Sequence, residues 1–287
     1  MSSEPPDLSL RIDPPADIAA AFEASRAARG PFGAPLFYFR SIGSTNDLAG
    51  RLADGGAGEG TTVAAETQTS GRGRLGRAWY SPEGAGLYVS VVIRPDRETA
   101  GPDAPPPGVP PHGVPSALTL AAGVALAEAV REATGLAAEL KWPNDLVVRR
   151  RKLAGILAEA SSRGGAVEHV ILGFGVNVKP AAYPPDLAER ATSLEAELGR
   201  PVDRGALLAL ALAKIAEGRE TLRSGGLSRI LARWRELAPS SVGARVEWRR
   251  ADGPVEGRTA GLDDDGALLV EARGRVERVV AGEVIWR

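Results

Sequence analysis

Gly71-Arg72-Gly73-Arg74-Leu75-Gly76-Arg77 is the stretch on which the fold assignment turns. Gly71, Gly73 and Gly76 satisfy G-x-G-x-x-G, the spacing of a dinucleotide-binding turn. Such a turn needs a strand before it and a helix directly after it, whose N-terminus faces a pyrophosphate. Residues 61–66 supply the strand pattern. Residues 78–86 carry Pro82, Gly84 and Gly86 and cannot supply the helix. A doubly wound dinucleotide fold is excluded on that context. A P-loop is excluded too, since no Gly-Lys-Ser/Thr follows. What remains is three arginines set between glycines. Glycine lets backbone amides approach an anion closely, and arginine offers planar forks for phosphate and carboxylate. The segment suits a loop that closes over anionic groups, although a solvated Arg-rich surface turn has the same pattern.

On either side, strands and helices alternate without regular βαβ spacing, which predicts an α+β fold. Residues 36–40 alternate like a strand, and Ser44 or Thr45 caps a short helix carrying Leu48 and Leu52. Residues 87–93 form an apolar strand. Ser116 is placed to cap a helix over 117–134, closed by Gly135. Strand-like runs follow at 138–142, 146–149, 154–160 and 167–174, with a hairpin turn at 149–152. A long helix is predicted over 206–223, capped by Asp203, and a shorter one over 227–237. After Pro239 the pattern changes to short strands with an Asp265-Gly266 turn, which predicts a small β-barrel. The expected organisation is a poorly structured extension over 1–35, a main domain over 36–238 and a small domain over 239–287. Residues 17–29 hold at most one short helix, too little for a helix-turn-helix unit. Residues 101–115, with seven prolines and three glycines, read as a loop inserted without its own core.

Composition narrows the chemistry. The 287 residues carry 35 basic and 36 acidic side chains, a net charge of -1, so any nucleic-acid role would need a local patch. No cysteine is present, which removes disulfides, thiolate metal sites and thioester relays. Two histidines, His112 among prolines and His169 in an apolar run, give poor support for a histidine metal site or a Ser-His-Asp triad. The chemistry falls to Lys, Arg, Asp, Asn and backbone groups. No run of eighteen apolar residues and no signal-peptide pattern are found, so a cytoplasmic protein without a membrane span is expected.

Four further segments place polar groups at strand ends or helix starts. Lys141-Trp142-Pro143-Asn144-Asp145 leaves a strand that Pro143 stops. Lys152-Leu153-Ala154-Gly155-Ile156-Leu157 opens a strand with Lys152 at its mouth; taken alone, an exposed hairpin-tip lysine is the better reading. Gly173-Phe174-Gly175-Val176-Asn177-Val178 ends an apolar strand, where glycines would let a ring lie against the backbone or would mark a bulge. Ser44-Thr45-Asn46 is also an ordinary helix cap.

In this order, together with Gln68 and Trp79, these segments resemble the biotin–protein ligase family. The resemblance covers residues 36–240 and continues more weakly into the C-terminal strands. It implies a mixed sheet flanked by helices, like a class II synthetase catalytic domain, with an SH3-like C-terminal barrel. The expected form is ligase-only, without a DNA-binding domain. The implied reaction joins biotin to ATP as biotinyl-5'-AMP, then transfers biotin to a lysine of a biotin carboxyl carrier protein or domain of a biotin-dependent carboxylase. By resemblance Ser44, Thr45, Asn46, Gln68, Gly71, Arg72, Gly73, Arg74, Lys152 and Gly155 would hold biotin. Arg74, Arg77, Trp79, Lys141, Asn144 and Asn177 would contact ATP. Lys141, Arg72, Arg74, Lys152 and Asp145 would carry the chemistry, Asp145 by orienting or deprotonating the incoming lysine. Mg2+ would screen the triphosphate, with no ligands assigned. Leu75 stands where the family frequently has Arg. A lipoate–protein ligase and an Arg-loop RNA-binding module remain as alternatives; only 5% aromatic residues stand against base stacking. The sequence leaves open whether the chain is a monomer or a homodimer.

Overall fold

A computed structural model describes residues 8–95, 113–163, 166–250, 253–280, 282 and 284–287. His112 and residues 101–112 of the proline-rich stretch lie outside the described residues. The N-terminal part comprises β1 (Arg11–Ile12), α1 (Ala16–Ala24), α2 (Arg26–Arg29), β2 (Leu36–Ile42), α3 (Thr45–Asp54), β3 (Thr62–Gln68) and β4 (Gly86–Ile93). There follow α4 (Val114–Thr134), β5 (Glu139–Lys141), β6 (Asp145–Val148), β7 (Arg151–Arg163) and β8 (Ala166–Asn177). Next come α5 (Pro185–Ala188), α6 (Leu194–Leu198), α7 (Arg204–Arg223) and α8 (Leu227–Leu237). The chain ends with β9 (Val242–Arg250), β10 (Gly253–Leu262), β11 (Leu268–Ala272), β12 (Arg275–Val279) and β13 (Val284–Trp286).

Strands β1 to β8 form one eight-stranded mixed sheet in the order β1-β2-β3-β4-β8-β7-β6-β5. Only β2 and β3 pair in parallel. Period-2 alternation gives this sheet two different faces. Tyr38, Ala64, Val89, Val91, Leu172, Phe174, Ile156 and Leu140 join the large core built with α1, α4, α7 and α8. Their neighbours Phe39, Val63, Ala65, Val92 and Ile171 pack under α3 in a second, smaller cluster. Helices cover most of one face, while α3 covers only part of the other. The uncovered part is where the glycine–arginine segment lies.

Four details differ from the sequence expectations. α4 begins at Val114 after Gly113, with Pro115 in its first turn, so Ser116 is not the cap. Proline fits there because the first helical N–H groups have no partner in any case. α4 is also long and apolar enough by composition to cross a membrane, with a mean hydropathy of 1.3, although 67% of that stretch is buried inside the protein. Residues 1–35 are not simply an extension. Ile18 and Phe22 of α1 are buried, and Gly205 at the start of α7 approaches so closely that a Cβ would sit 2.4 Å from the Asp17 carbonyl oxygen. The C-terminal strands form a five-stranded antiparallel sheet in the order β12-β11-β10-β9-β13. Within the described residues β13 pairs only with β9, so hydrogen bonds do not close a barrel.

The two sheets share one continuous apolar core. Gly266 (φ 84°) turns the chain where a Cβ would meet Leu120 at 2.4 Å, and its carbonyl accepts from the Trp142 indole N–H at 3.1 Å. Trp142→Phe orphans that carbonyl in a buried place, at a cost of about 1–3 kcal/mol. Scanning calorimetry of the variant is expected to show a melting midpoint lower by roughly 2–8 °C. An unchanged midpoint would show that the indole does not tie the sheets together.

Candidate active site

Register lines up the floor of the site. Lys141 pairs with Asp145, Asp145 with Gly155, and Gly155 with Gly175, across β5, β6, β7 and β8. Cross-strand partners share a face, so two cationic or anionic side chains stand beside two bare glycines. The Trp79 indole lies on those glycines. A Cβ on Gly155 would be 2.9 Å from the ring and one on Gly175 2.5 Å from it. The sequence left open a ring platform or a bulge; β8 runs through Gly173 and Gly175 in regular register, and the ring on it is the chain's own.

Residues 71–79 fold back on themselves as a short loop laid over this floor. Trp79 N–H donates to the Gly71 carbonyl at 2.8 Å, Gly73 N–H donates to Arg77 at 2.7 Å, and Arg72 bridges to Ala78. Gly71 must be glycine because a Cβ would lie 2.5 Å from the Trp79 carbonyl oxygen. At the tip, Leu75 (φ 57°) and Gly76 (φ 72°) both take the left-handed conformation, and Leu75 projects into solvent. Arg77 is exposed beside them. The arginines fasten the loop at two points. Arg72 meets Asp47 at 3.0 Å and also Glu159, while Arg74 donates to Asn144 Oδ1 at 3.3 Å.

The first turn of α3 forms the adjoining wall. Ser44 is its cap, as the sequence suggests, and accepts from the Asp47 N–H. Gln68 Oε1 accepts from Thr45 N–H at 2.9 Å and Thr45 Oγ1 lies 3.0 Å away; Gln68 Nε2 donates to Ser81 Oγ at 3.0 Å. Ser90, fully buried on β4, lies 2.8 Å from Thr45 Oγ1 and 2.5 Å from Asn46 Oδ1. An amide oxygen can only accept, so the Ser90 proton serves Asn46. Gly173 clears the space Asn46 needs, since a Cβ there would be 2.1 Å from its Oδ1.

The cations gather at the other end of the floor. Lys152 Nζ lies 2.6 Å from Asp145 Oδ1 and 5.2 Å from the centre of the Trp79 ring. Asp145 Oδ1 is buried and makes no directed hydrogen bond, so this contact is an ion pair off the hydrogen-bonding direction. Lys152 is not a hairpin tip. The tip is Arg149-Arg150, both left-handed (φ 48° and 66°), which suits a two-residue turn. Lys152 instead has its N–H bonded to Arg190 and its carbonyl to Thr192. Asn177, read from sequence as an ATP contact, is buried and donates to the Thr192 and Lys152 carbonyls, so it braces the Lys152 backbone. Burial holds the Lys141 ammonium below the usual lysine range; Asp145 opposes this, and Lys152, Arg190 and Arg150 add to it. Asn144 donates to the Ile156 carbonyl at 2.7 Å, which leaves its own oxygen for Arg74.

Sequence reading missed five contributors. Ser90, Ser81, Asp47 and Glu159 are single polar residues within or beside regular elements, where only a lone hydroxyl in the apolar run Leu87–Ile93 could have drawn notice. Trp286 comes from β13, and Lys141 Nζ stands 6.0 Å over its ring. Two cavities flank the loop. One of about 520 Å³ is bordered by Ser44, Asn46, Arg72, Glu159 and His169. The other, about 220 Å³, is bordered by Arg74, Leu75, Ser116, Trp142 and Gly266. His169 packs 3.8 Å from Asp54, and burial lowers its pKa.

This arrangement is shared with known proteins. Residues 38–177 match the Biotin/lipoate A/B protein ligase family, and residues 242–287 match the biotin protein ligase C-terminal domain. The chain belongs to the biotin protein ligase family. It is 33% identical over 254 residues to the bifunctional ligase/repressor BirA of Bacillus subtilis, covering 88% of this chain and 74% of that protein. It is 36% identical over 261 residues to the biotin–[acetyl-CoA-carboxylase] ligase of Mycobacterium tuberculosis, covering 85% of each. Among solved structures, the biotin protein ligase of Aquifex aeolicus in complex with biotin and ATP superposes with a TM-score of 0.72 at 28% identity, covering 88% of this chain and 98% of that one.

Proposed function

We propose that this chain activates biotin with ATP at the glycine floor and passes it, under the arginine loop, to a lysine of a biotin carboxyl carrier protein. One observation carries the assignment of roles: Lys141, Asp145, Gly155 and Gly175 stand on one rung of the sheet, with Lys152 and the loop above them. The glycines seat the Trp79 indole, whose outer face offers a flat apolar surface to a substrate ring, and the cations at its end meet two anions that must approach each other.

The carboxylate oxygen of biotin attacks the α-phosphorus of ATP, and pyrophosphate leaves. Neither anion approaches the other unaided, so fixed positive charge at the point of attack is the main contribution the protein can make. Lys152 would face the carboxylate and Lys141 the α-phosphate. Thr45 and Gln68 offer the hydroxyl and amide groups that match a ureido ring, with Ser44 and Asn46 shaping its wall. Arg74 and Asn144 would steady the nucleotide next to the 220 Å³ cavity. In the second step a carrier lysine attacks the acyl carbon and AMP departs. Asp145 is the carboxylate placed to orient that amine and receive its proton.

Among the described residues no cluster of three metal-ligating side chains exists, and Asp145 is the one carboxylate on the rung. That donor set fits Mg2+ brought by the triphosphate rather than a protein-built cage. When bound, the ion would neutralise phosphate charge, and Asp145 would be the carboxylate to hold it. A cytoplasmic setting, where ATP and carboxylase carriers meet, belongs to the same proposal.

The test is covalent transfer. Incubated with ATP, biotin and an isolated carrier domain, the enzyme is expected to leave an amide-linked biotin on one carrier lysine; a carrier with that lysine replaced by arginine stays unlabelled. Equal labelling of both carriers would overturn the reading. Removing the loop's anchor should free the reactive intermediate. Arg72→Gly is expected to release biotinyl-5'-AMP into solution roughly tenfold faster, seen as labelling of bystander amines. Unchanged retention would contradict a shielding role for the loop.

A further inference from the structure

Glu159 lies outside every motif of the sequence, four positions beyond Gly155 on β7 and on the same face of the strand. Its Oε2 accepts from Asn46 Nδ2 at 2.7 Å and also holds the Arg72 guanidinium. Arg72 reaches Asp47 at 3.0 Å from its other nitrogen. Asn46 is in turn fixed through its oxygen by Ser90. One carboxylate oxygen therefore joins the first turn of α3 to the entrance of the arginine loop. The Arg72 and Glu159 side chains are 44% and 38% exposed, so the contact adds little to overall stability. What it restricts is the position of a glycine-flanked arginine, which has many alternatives when released.

We propose that Glu159 is a positioning residue for the loop: it fixes where Arg72 enters, and so holds residues 71–79 over the floor before substrate arrives. The proposal rests on reading that loop as the cover of the biotin site. With the charge removed, the covering arrangement is less populated. Apparent affinity for biotin falls by the same fraction, because only that arrangement binds productively. Asp47 holds the other guanidinium nitrogen, so the loop loosens without being lost.

Glu159→Gln in the full chain tests this. Glutamine keeps an oxygen for Asn46 and removes the charge that holds Arg72. Tryptic cleavage within residues 71–79, without ligand, is expected to quicken about twofold, and KM for biotin in pyrophosphate exchange to rise about twofold with less change in kcat. The melting midpoint stays close to that of the unaltered protein. In an Arg72→Gln background, which has already lost the contact, adding Glu159→Gln brings no further acceleration. Cleavage and KM unchanged in Glu159→Gln, or full additivity with Arg72→Gln, would overturn the proposal. If the unaltered protein shows no biotin-dependent exchange while Glu159→Gln still quickens cleavage, the biotin reading falls and the positioning role stands.

Discussion

Replacing Lys152 by alanine is expected to lower biotin-dependent pyrophosphate exchange by about 100- to 1,000-fold, the loss typical of deleting a preorganised charge at a reacting centre. The ammonium lies 2.6 Å from Asp145 Oδ1 and against the Trp79 ring. Its backbone is clamped on both sides by Arg190 and Thr192. The side chain is therefore aimed, not mobile, and its charge stands at the end of the floor where a carboxylate would lie. Alanine also strands a buried Asp145 oxygen without a cation. Lys152→Met leaves Asp145 in the same state but keeps the stem, and so separates loss of charge from loss of side-chain packing. The same loss of exchange in both variants assigns the effect to charge. Full activity in Lys152→Ala would make this residue a surface lysine after all.

Lys141→Met is expected to abolish exchange to a similar degree while making the protein more stable, by about 1 kcal/mol or roughly 2–4 °C at neutral pH. Burial places the folded-state pKa of Lys141 below that of the unfolded chain. A lowered lysine pKa means the folded state is penalised for carrying the charge. The penalty is fully present below the folded pKa and fades as pH rises from there toward the ordinary lysine value. The stabilisation gained by methionine is therefore largest at neutral pH and shrinks in alkaline buffer. Asp145 keeps Lys152 as its partner, so no charge is orphaned. Exchange by the unaltered enzyme is likewise expected to decline on the alkaline side before an ordinary lysine would deprotonate. Titrated melting curves check the first statement. A variant that is less stable at neutral pH, or as active as the parent, would contradict it.

Much of this site was legible because its chemistry is written in short local segments. Gly71 to Arg77, Lys141 to Asp145 and Lys152 to Leu157 each place charge beside glycine or proline; each has an ordinary reading alone, and their order along the chain is what marks them. The α+β class followed from strand and helix spacing alone. The less legible parts depend on contacts distant in sequence. Glu159 contacts Asn46 across 113 positions, and no local pattern announces it. Ser90 sits in an apolar strand where a single serine is common. Trp286 acts from the far end of the chain. The N-terminal helix α1 went under-read because its burial comes from α7, nearly two hundred residues away, and not from a strong amphipathic stripe. Asn177 carried a family role on its motif position, yet its amide is turned into backbone carbonyls. Capping at Ser116 was inferred from a side chain, while the proline beside it already allowed the helix to begin earlier.

The most direct test of the central claim is ATP–pyrophosphate exchange with a single acid present. Biotin is expected to support rapid exchange, lost in Lys152→Ala and in Lys141→Met, whereas lipoate supports little. Exchange with lipoate and not with biotin would contradict the assignment of this glycine floor to biotin.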